Sequence, residues 1–125
     1  PWAATQLFLH SNGNIGIGTT NPTLGPLQMG SGAYVTSGGI WTNASSRASK
    51  AEIADLQLNT AMQTLNGLNP VTFRYKAAMD EKHVGFVAED VPDLVATKDR
   101  KGLSPMDITA VLTKVVQTSK RISRN

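Results

Sequence analysis

Ser45 and Lys50, five positions apart, are the residues of this sequence whose types and spacing admit the most specific chemistry. A serine hydroxyl is a weak nucleophile until a base removes its proton. A lysine can be that base when burial or a neighbouring cation lowers the pKa of its amine, and Arg47 lies close by. Five residues along one continuous helix put two side chains on different faces. A working pair therefore needs Ser45 in extended or turn backbone and Lys50 in the first turn of a helix capped by Ser49. Free N–H groups at such a helix start would also polarise a carbonyl oxygen. Taken alone, the same residues read as linker serines followed by a helix cap, and context must separate the two readings.

The remaining reactive types point to less. Glu89, Asp90 and Asp93 resemble a carboxylate pair, but Pro92 makes the stretch a turn, where solvated or capping carboxylates are expected. There is no cysteine, which excludes disulfides and thiolate metal sites. His10 and His83 are far apart, so neither a zinc site nor any other metal or cofactor is expected. The net charge is +3, and Lys114, Lys120, Arg121 and Arg124 gather near the end. No aromatic residue follows Phe86, so these cations suit a helix C-terminus better than a nucleic-acid surface. Arg74 and Lys76 alternate with Phe73 and Tyr75 as the wet face of a strand. No apolar run approaches the roughly 20 residues of a membrane span, and neither a membrane nor a nucleic acid is expected as partner. Pro1-Trp2-Ala3-Ala4 does not look like a signal peptide, and the chain is expected to be a piece of a longer one.

Positioning Ser45 and Lys50 falls to two regions that differ in composition. Of the 11 glycines, eight precede Ser45, and that first part carries no acidic residue. The expected fold class is α+β: a Gly-rich β segment over residues 1–44, then a helix, a β-hairpin and a C-terminal helix over 45–125. Leu7–His10 and Ile15–Gly18 flank Ser11-Asn12-Gly13-Asn14, whose Asn-Gly step suits a tight hairpin turn. Pro22 stops the second strand. Two more short strands are expected at Ala33–Thr36 and Gly39–Thr42. Ser49-Lys50-Ala51-Glu52 reads as a capping box, and Ile53, Leu56, Ala61, Met62 and Leu65 follow at roughly helical spacing until Gly67 ends the helix. Pro70–Lys76 and His83–Ala88 read as antiparallel strands across a polar turn at Met79–Lys82.

Ser104-Pro105-Met106-Asp107 announces the last helix. Ile108, Val115 and Ile122 fall seven apart with Val111 between, a short heptad stripe. Leu112 and Val116 widen it toward an ordinary core-facing helix, and the pattern leaves both readings open. A chain of 125 residues with 40% hydrophobic but only 6% aromatic residues builds a modest core. It buries about two thirds of its unfolded surface, so association between copies would steady it.

Three stretches together resemble a known family. They are Gly13-Asn14-Ile15-Gly16-Ile17-Gly18-Thr19-Thr20-Asn21-Pro22; Ser45-Ser46-Arg47-Ala48-Ser49-Lys50-Ala51-Glu52-Ile53; and the span from Leu68 to Val116, with Gly85-Phe86-Val87-Ala88-Glu89-Asp90-Val91 at its centre. The second is similar to the Ser-Asp-x-x-x-Lys-x-x-Ile cleavage motif of the intramolecular chaperone at the C-terminal end of endosialidase-type phage tailspikes and tail fibres, with a related domain in the myelin regulatory factor. The resemblance implies an intertwined homotrimer that assembles the upstream fibre domain of the same chain and then releases itself. It implies cutting between Ala44 and Ser45, with Ser45 as nucleophile and Lys50 as base, in a virion tail fibre, a tailspike or a related surface fibre. On this reading Ile108, Val111, Val115 and Ile122 form the trimer helix. Ser46 stands where the motif has aspartate. A permanently attached trimerisation cap and a receptor-contacting fibre tip are the alternatives.

Overall fold

A computed structural model describes the backbone of residues 6–123 and the side chains of residues 6–121. Of the residues named above, Ile122 as a side chain, Arg124, and Pro1–Ala4 lie outside that range. The chain forms two compact units, Pro1–Ile53 and Ala54–Asn125.

The first unit is a sheet of five short strands in sequence order: β1 (Leu7–Leu9), β2 (Ile15–Ile17), β3 (Leu27–Met29), β4 (Tyr34–Val35) and β5 (Trp41–Thr42). The β1–β2 hairpin turns where Asn12-Gly13 predicts it. Gly13 takes the positive φ of 90° that side chains avoid. Asn14 Nδ2 then donates to the carbonyl of Pro22, which is buried just beyond the strand. β4 and β5 fall inside the two expected strands and pair antiparallel. The sequence reading missed β3, which pairs parallel to β2; the loop between them carries Pro22 and Pro26 and conceals the strand that follows.

Register decides which side chains share a face. Leu7, Ile17 and Met29 form one cross-strand row, and Leu9, Ile15, Leu27, Val35 and Trp41 form the next. One face of the sheet is thus an apolar ladder. It stands largely uncovered, with Leu7 and Leu9 each 73% exposed and Trp41 75%. The opposite face carries Phe8, Gly16, Gln28, Tyr34 and Thr42. Gly16 is buried there because a Cβ would stand 2.2 Å from the Thr19 carbonyl oxygen.

The second unit holds α1 (Leu58–Gly67), the hairpin of β6 (Val71–Tyr75) and β7 (Ala78–Gly85), and α2 (Pro105–Ser123). Its core is Ala61, Val91, Val95, Ile108 and Val111, with Leu56, Leu65, Leu68, Phe86, Leu103 and Val115 packed around it. α1 ends at Gly67 as expected, but not by a left-handed cap. Leu68 is already extended, and Pro70 holds Asn69 away from helical geometry. Glycine is needed at 67 because a Cβ there would meet Pro92 Cγ at 2.8 Å.

Two expectations about these elements are corrected. The helix does not begin at a capping box: residues 50–57 are extended or irregular and α1 starts at Leu58. Glu52 takes a positive φ of 54°, and Ile53 is 53% exposed, so no packed face supports helix there. The hairpin turn lies at Lys76–Ala77, not at Met79–Lys82, which belong to β7. An irregularity between Phe73 and Tyr75 shifts the register to bring Tyr75 opposite Ala78, and Arg74 Nη1 donates to the Met79 carbonyl across it at 2.9 Å.

α2 opens with Pro105 as its first residue, and Lys120 and Arg121 lie in its last turn, as predicted. Ile108 and Val111 are buried in the core of their own unit, and Val115 packs against it. The part of the helix left to solvent carries Met106, Leu112 and Val116.

Candidate functional site

The sequence between Ser45 and Lys50 folds into one turn of 3₁₀-helix at Arg47–Ser49. Ser46 caps it: its backbone is extended (φ −65°, ψ 144°) and its Oγ accepts from the Ala48 N–H at 3.3 Å. The Ser46 carbonyl accepts twice from Ser49, from the backbone N–H at 3.1 Å and from Oγ at 2.8 Å. The Lys50 N–H donates to the Arg47 carbonyl at 3.1 Å, and Lys50 leaves the turn extended (φ −119°, ψ 150°).

The consequence is a contact that sequence spacing alone does not guarantee. One tight turn separates Ser45 from Lys50, and it returns their side chains to each other. Lys50 Nζ donates to Ser45 Oγ at 2.5 Å. Ser45 thus sits in non-helical backbone before a cap, as expected. Lys50 sits at the end of a 3₁₀ turn and not in the first turn of an α-helix, and the cap is Ser46 rather than Ser49. Helix N–H groups are not at hand to polarise a carbonyl, since the amides of Ala48, Ser49 and Lys50 are bonded within the turn. Ser45 through Ile53 are all exposed in the single chain.

Ala44 is half-buried. It follows β5 and lies beside the turn at Gly32, where an added Cβ would stand 3.7 Å from Ala44 Cβ. The Ala44–Ser45 bond therefore joins a sheet-anchored segment to the exposed turn that carries the hydroxyl–amine pair. What this arrangement can do is move a proton between Oγ and Nζ next to a peptide bond.

The other sequence candidates take structural roles. Glu89 pairs with Lys101 at 3.2 Å, and Asp93 pairs with Arg100. Asp99 accepts from the Lys101 N–H at 3.0 Å and from the Thr97 hydroxyl at 3.0 Å. These bonds hold the carboxyls of Glu89 and Asp99 below their ordinary range: for Glu89 the Lys101 ammonium is the main cause, for Asp99 the Lys101 amide. His83 stacks on Phe73 at 5.6 Å and meets Tyr75 edge-on at 5.3 Å, an aromatic cluster the sequence reading did not assemble. Its signal was the alternation of Phe73 and Tyr75 on one strand. Among the described residues no group of three or more His, Cys, Asp or Glu is placed to hold a metal ion, and no helix is long and apolar enough to cross a membrane.

Residues 45–98 match the model of a peptidase family described as chaperone of endosialidase. The match begins at Ser45, includes Lys50, and runs through α1 and the β6–β7 hairpin. The matched stretch contains the Ser45–Ile53 motif on which the resemblance rests, and the match supports a chaperone role for the chain. No curated protein and no solved structure matches the chain.

Proposed function

We propose that this chain is a chaperone that assembles as a homotrimer and then cuts itself between Ala44 and Ser45, freeing the fibre it helped to fold. The observation that carries the reading is the 2.5 Å contact between Lys50 Nζ and Ser45 Oγ at the first residues of the family match. The proton on Oγ passes to a neutral Lys50 amine as Oγ attacks the Ala44 carbonyl carbon. The nitrogen of Ser45 takes up that proton as the C–N bond breaks. Water then releases Ala44 as a carboxylic acid and restores the hydroxyl. Direct attack by water, with Lys50 as base, gives the same products. Each chain cuts once.

Exposure of the pair supports coupling to assembly. A lysine amine becomes an effective base when it is desolvated, and in one chain Lys50 stands in water. Neighbouring copies supply the missing cover. The apolar ladder on the first unit gives them a reason to meet, and residues 1–44 contain no Asp, Glu, Lys or Arg to repel an identical face. Three as the copy number, and a place in a virion tail fibre or tailspike, follow from the family resemblance.

Ser45→Ala is expected to abolish cutting while leaving assembly intact. Mass spectrometry reads the outcome: fragments ending at Ala44 and beginning at Ser45 in the wild type, and an intact chain in the variant. Cutting at the same bond in Ser45→Ala removes Ser45 from the mechanism. A wild-type trimer that stays whole through long incubation is a permanent cap rather than a self-releasing chaperone.

A further inference from the structure

We infer that Ser46 and Ser49 are positioning residues for the Ser45–Lys50 pair, an inference that rests on the proposed self-cleavage. The 3₁₀ turn between the pair has no buried residue. A 3₁₀ turn has poorer hydrogen-bond geometry than an α-helix and is used in short pieces. Within the single chain no packing holds it, and its backbone bonds are supplemented by side chains. Two serines supply these from opposite ends. Ser46 Oγ holds the Ala48 amide, which fixes the entry of the chain into the turn. Ser49 Oγ holds the Ser46 carbonyl, adding a second bond to the one the Ser49 amide already makes there.

Each bond closes the short ring of backbone that sets how far Ser45 lies from Lys50. If either is lost, the turn is held by fewer bonds and opens more often, and the long lysine side chain then has many ways to miss the hydroxyl. Neither serine touches the reacting atoms; both act through the turn.

The chemistry also accounts for the residue at position 46. A cap needs a short side chain with an acceptor oxygen, a task that serine and aspartate perform about equally well. Serine therefore keeps the turn without the negative charge of the family motif. Ser49 needs a hydroxyl that donates, which alanine and valine lack and threonine retains.

The test compares cutting rates at equal assembled fraction in the full chain. Ser46→Ala and Ser49→Val are each expected to slow cutting about fivefold, the effect of losing one cap or one hydrogen bond. Ser46→Asp and Ser49→Thr are expected to stay within about twofold of wild type. A general loss of structure would not be rescued by Thr where Val fails, since the two have the same shape. Wild-type rates in Ser46→Ala and Ser49→Val overturn the inference, and so does a Ser46→Asp variant as slow as Ser46→Ala.

A second measurement does not depend on cutting. In a Ser45→Ala background, amide exchange at Ala48 and Ser49 is expected to quicken when Ser46→Ala or Ser49→Val is added; unchanged exchange removes the positioning role. Should the wild type not cut at all, the proposed function fails on its own, and the exchange result still decides whether these serines hold the turn.

Discussion

Between Leu7 and Trp41 the larger apolar side chains stand on an uncovered sheet face, whereas between Ala61 and Val111 they close on one another. Among residues 6–53 only Gly16 and Pro22 are buried. The second unit encloses Ala61, Val91, Val95, Ile108 and Val111, with seven partly buried apolar side chains around them. Charge divides the chain slightly earlier. All nine carboxylates and all twelve Lys and Arg residues follow Ala44. The second unit thus resembles a small domain with its own core and a charged surface. The sheet of the first unit is the opposite: uncharged through Ala44, with one apolar face that stands largely uncovered. On the proposed reading, the chain carries a self-contained folding unit beside a sheet whose apolar face other copies cover.

The sharpest break of that comparison is Val111→Asp. Val111 is 1% exposed and lies on α2 within the core that also holds Ala61 of α1. A carboxylate there has no partner in the core. The expected loss is about 4 kcal/mol or more, a large share of what holds a small domain together. Both described α-helices lie in this unit, so the helical circular-dichroism signal is expected to collapse at a temperature where the wild type keeps it. A melting curve unchanged by Val111→Asp would mean that the core described here is not what stabilises the second unit.

Ile17→Lys asks the opposite question. Ile17 lies in the row Leu7–Ile17–Met29 and is already 39% exposed, so the single chain is expected to change by no more than about 0.5 kcal/mol. In the assembly, however, each copy would bring a cation to the shared apolar face, where like charges repel. Sedimentation at micromolar concentration is expected to show a monomer with intact helices. A variant that still associates as well as wild type would move the interface elsewhere; the solvent-facing Met106, Leu112 and Val116 of α2 are the next place to look.

How much of this was legible in the sequence depends on whether a local signal was also the structural cause. Asn12-Gly13 needs only backbone geometry, and the hairpin appears where the dipeptide stands. Pro105 opens α2 for the same kind of reason. The pattern at Ser49-Lys50-Ala51-Glu52 is equally local, yet it does not nucleate a helix, because Ile53 finds no surface to pack on. Helix formation takes most of its stability from such packing. Leu56 does reach the core, from an extended segment. The stripe of Ile108, Val111 and Val115 was seen correctly as apolar, but periodicity cannot say whether the partner is the same chain or another. At the candidate site the sequence supplied Ser45 and Lys50, but not the means of joining them. Ser46 and Ser49 looked like linker and cap because a hydroxyl's partner is fixed only once the turn exists.

The smallest effect sharpens the comparison through acid. Glu89 and Asp99 titrate below their ordinary values of 4.5 and 3.8. The Lys101 side chain is the largest cause for Glu89; the Lys101 amide and then the Thr97 hydroxyl are the causes for Asp99. A carboxyl whose pKa is lowered by folding stabilises the folded state above its unfolded pKa and loses that contribution as pH falls through the folded value. The segment from Thr97 to Gly102 is therefore expected to loosen below those ordinary values, seen as faster exchange of the Lys101 amide than the usual pH dependence gives. Both residues lie at the surface, so the change is confined to that loop. Added salt should weaken the Lys101–Glu89 part, which is a surface charge pair, and leave the bonds from the Lys101 amide and the Thr97 hydroxyl to Asp99. The sheet of residues 7–42 holds no carboxylate, so its amides are expected to ignore the same pH range. If the sheet amides loosen together with Lys101, the two units are not independent, and the division between a self-sufficient part and an assembly-dependent part does not hold.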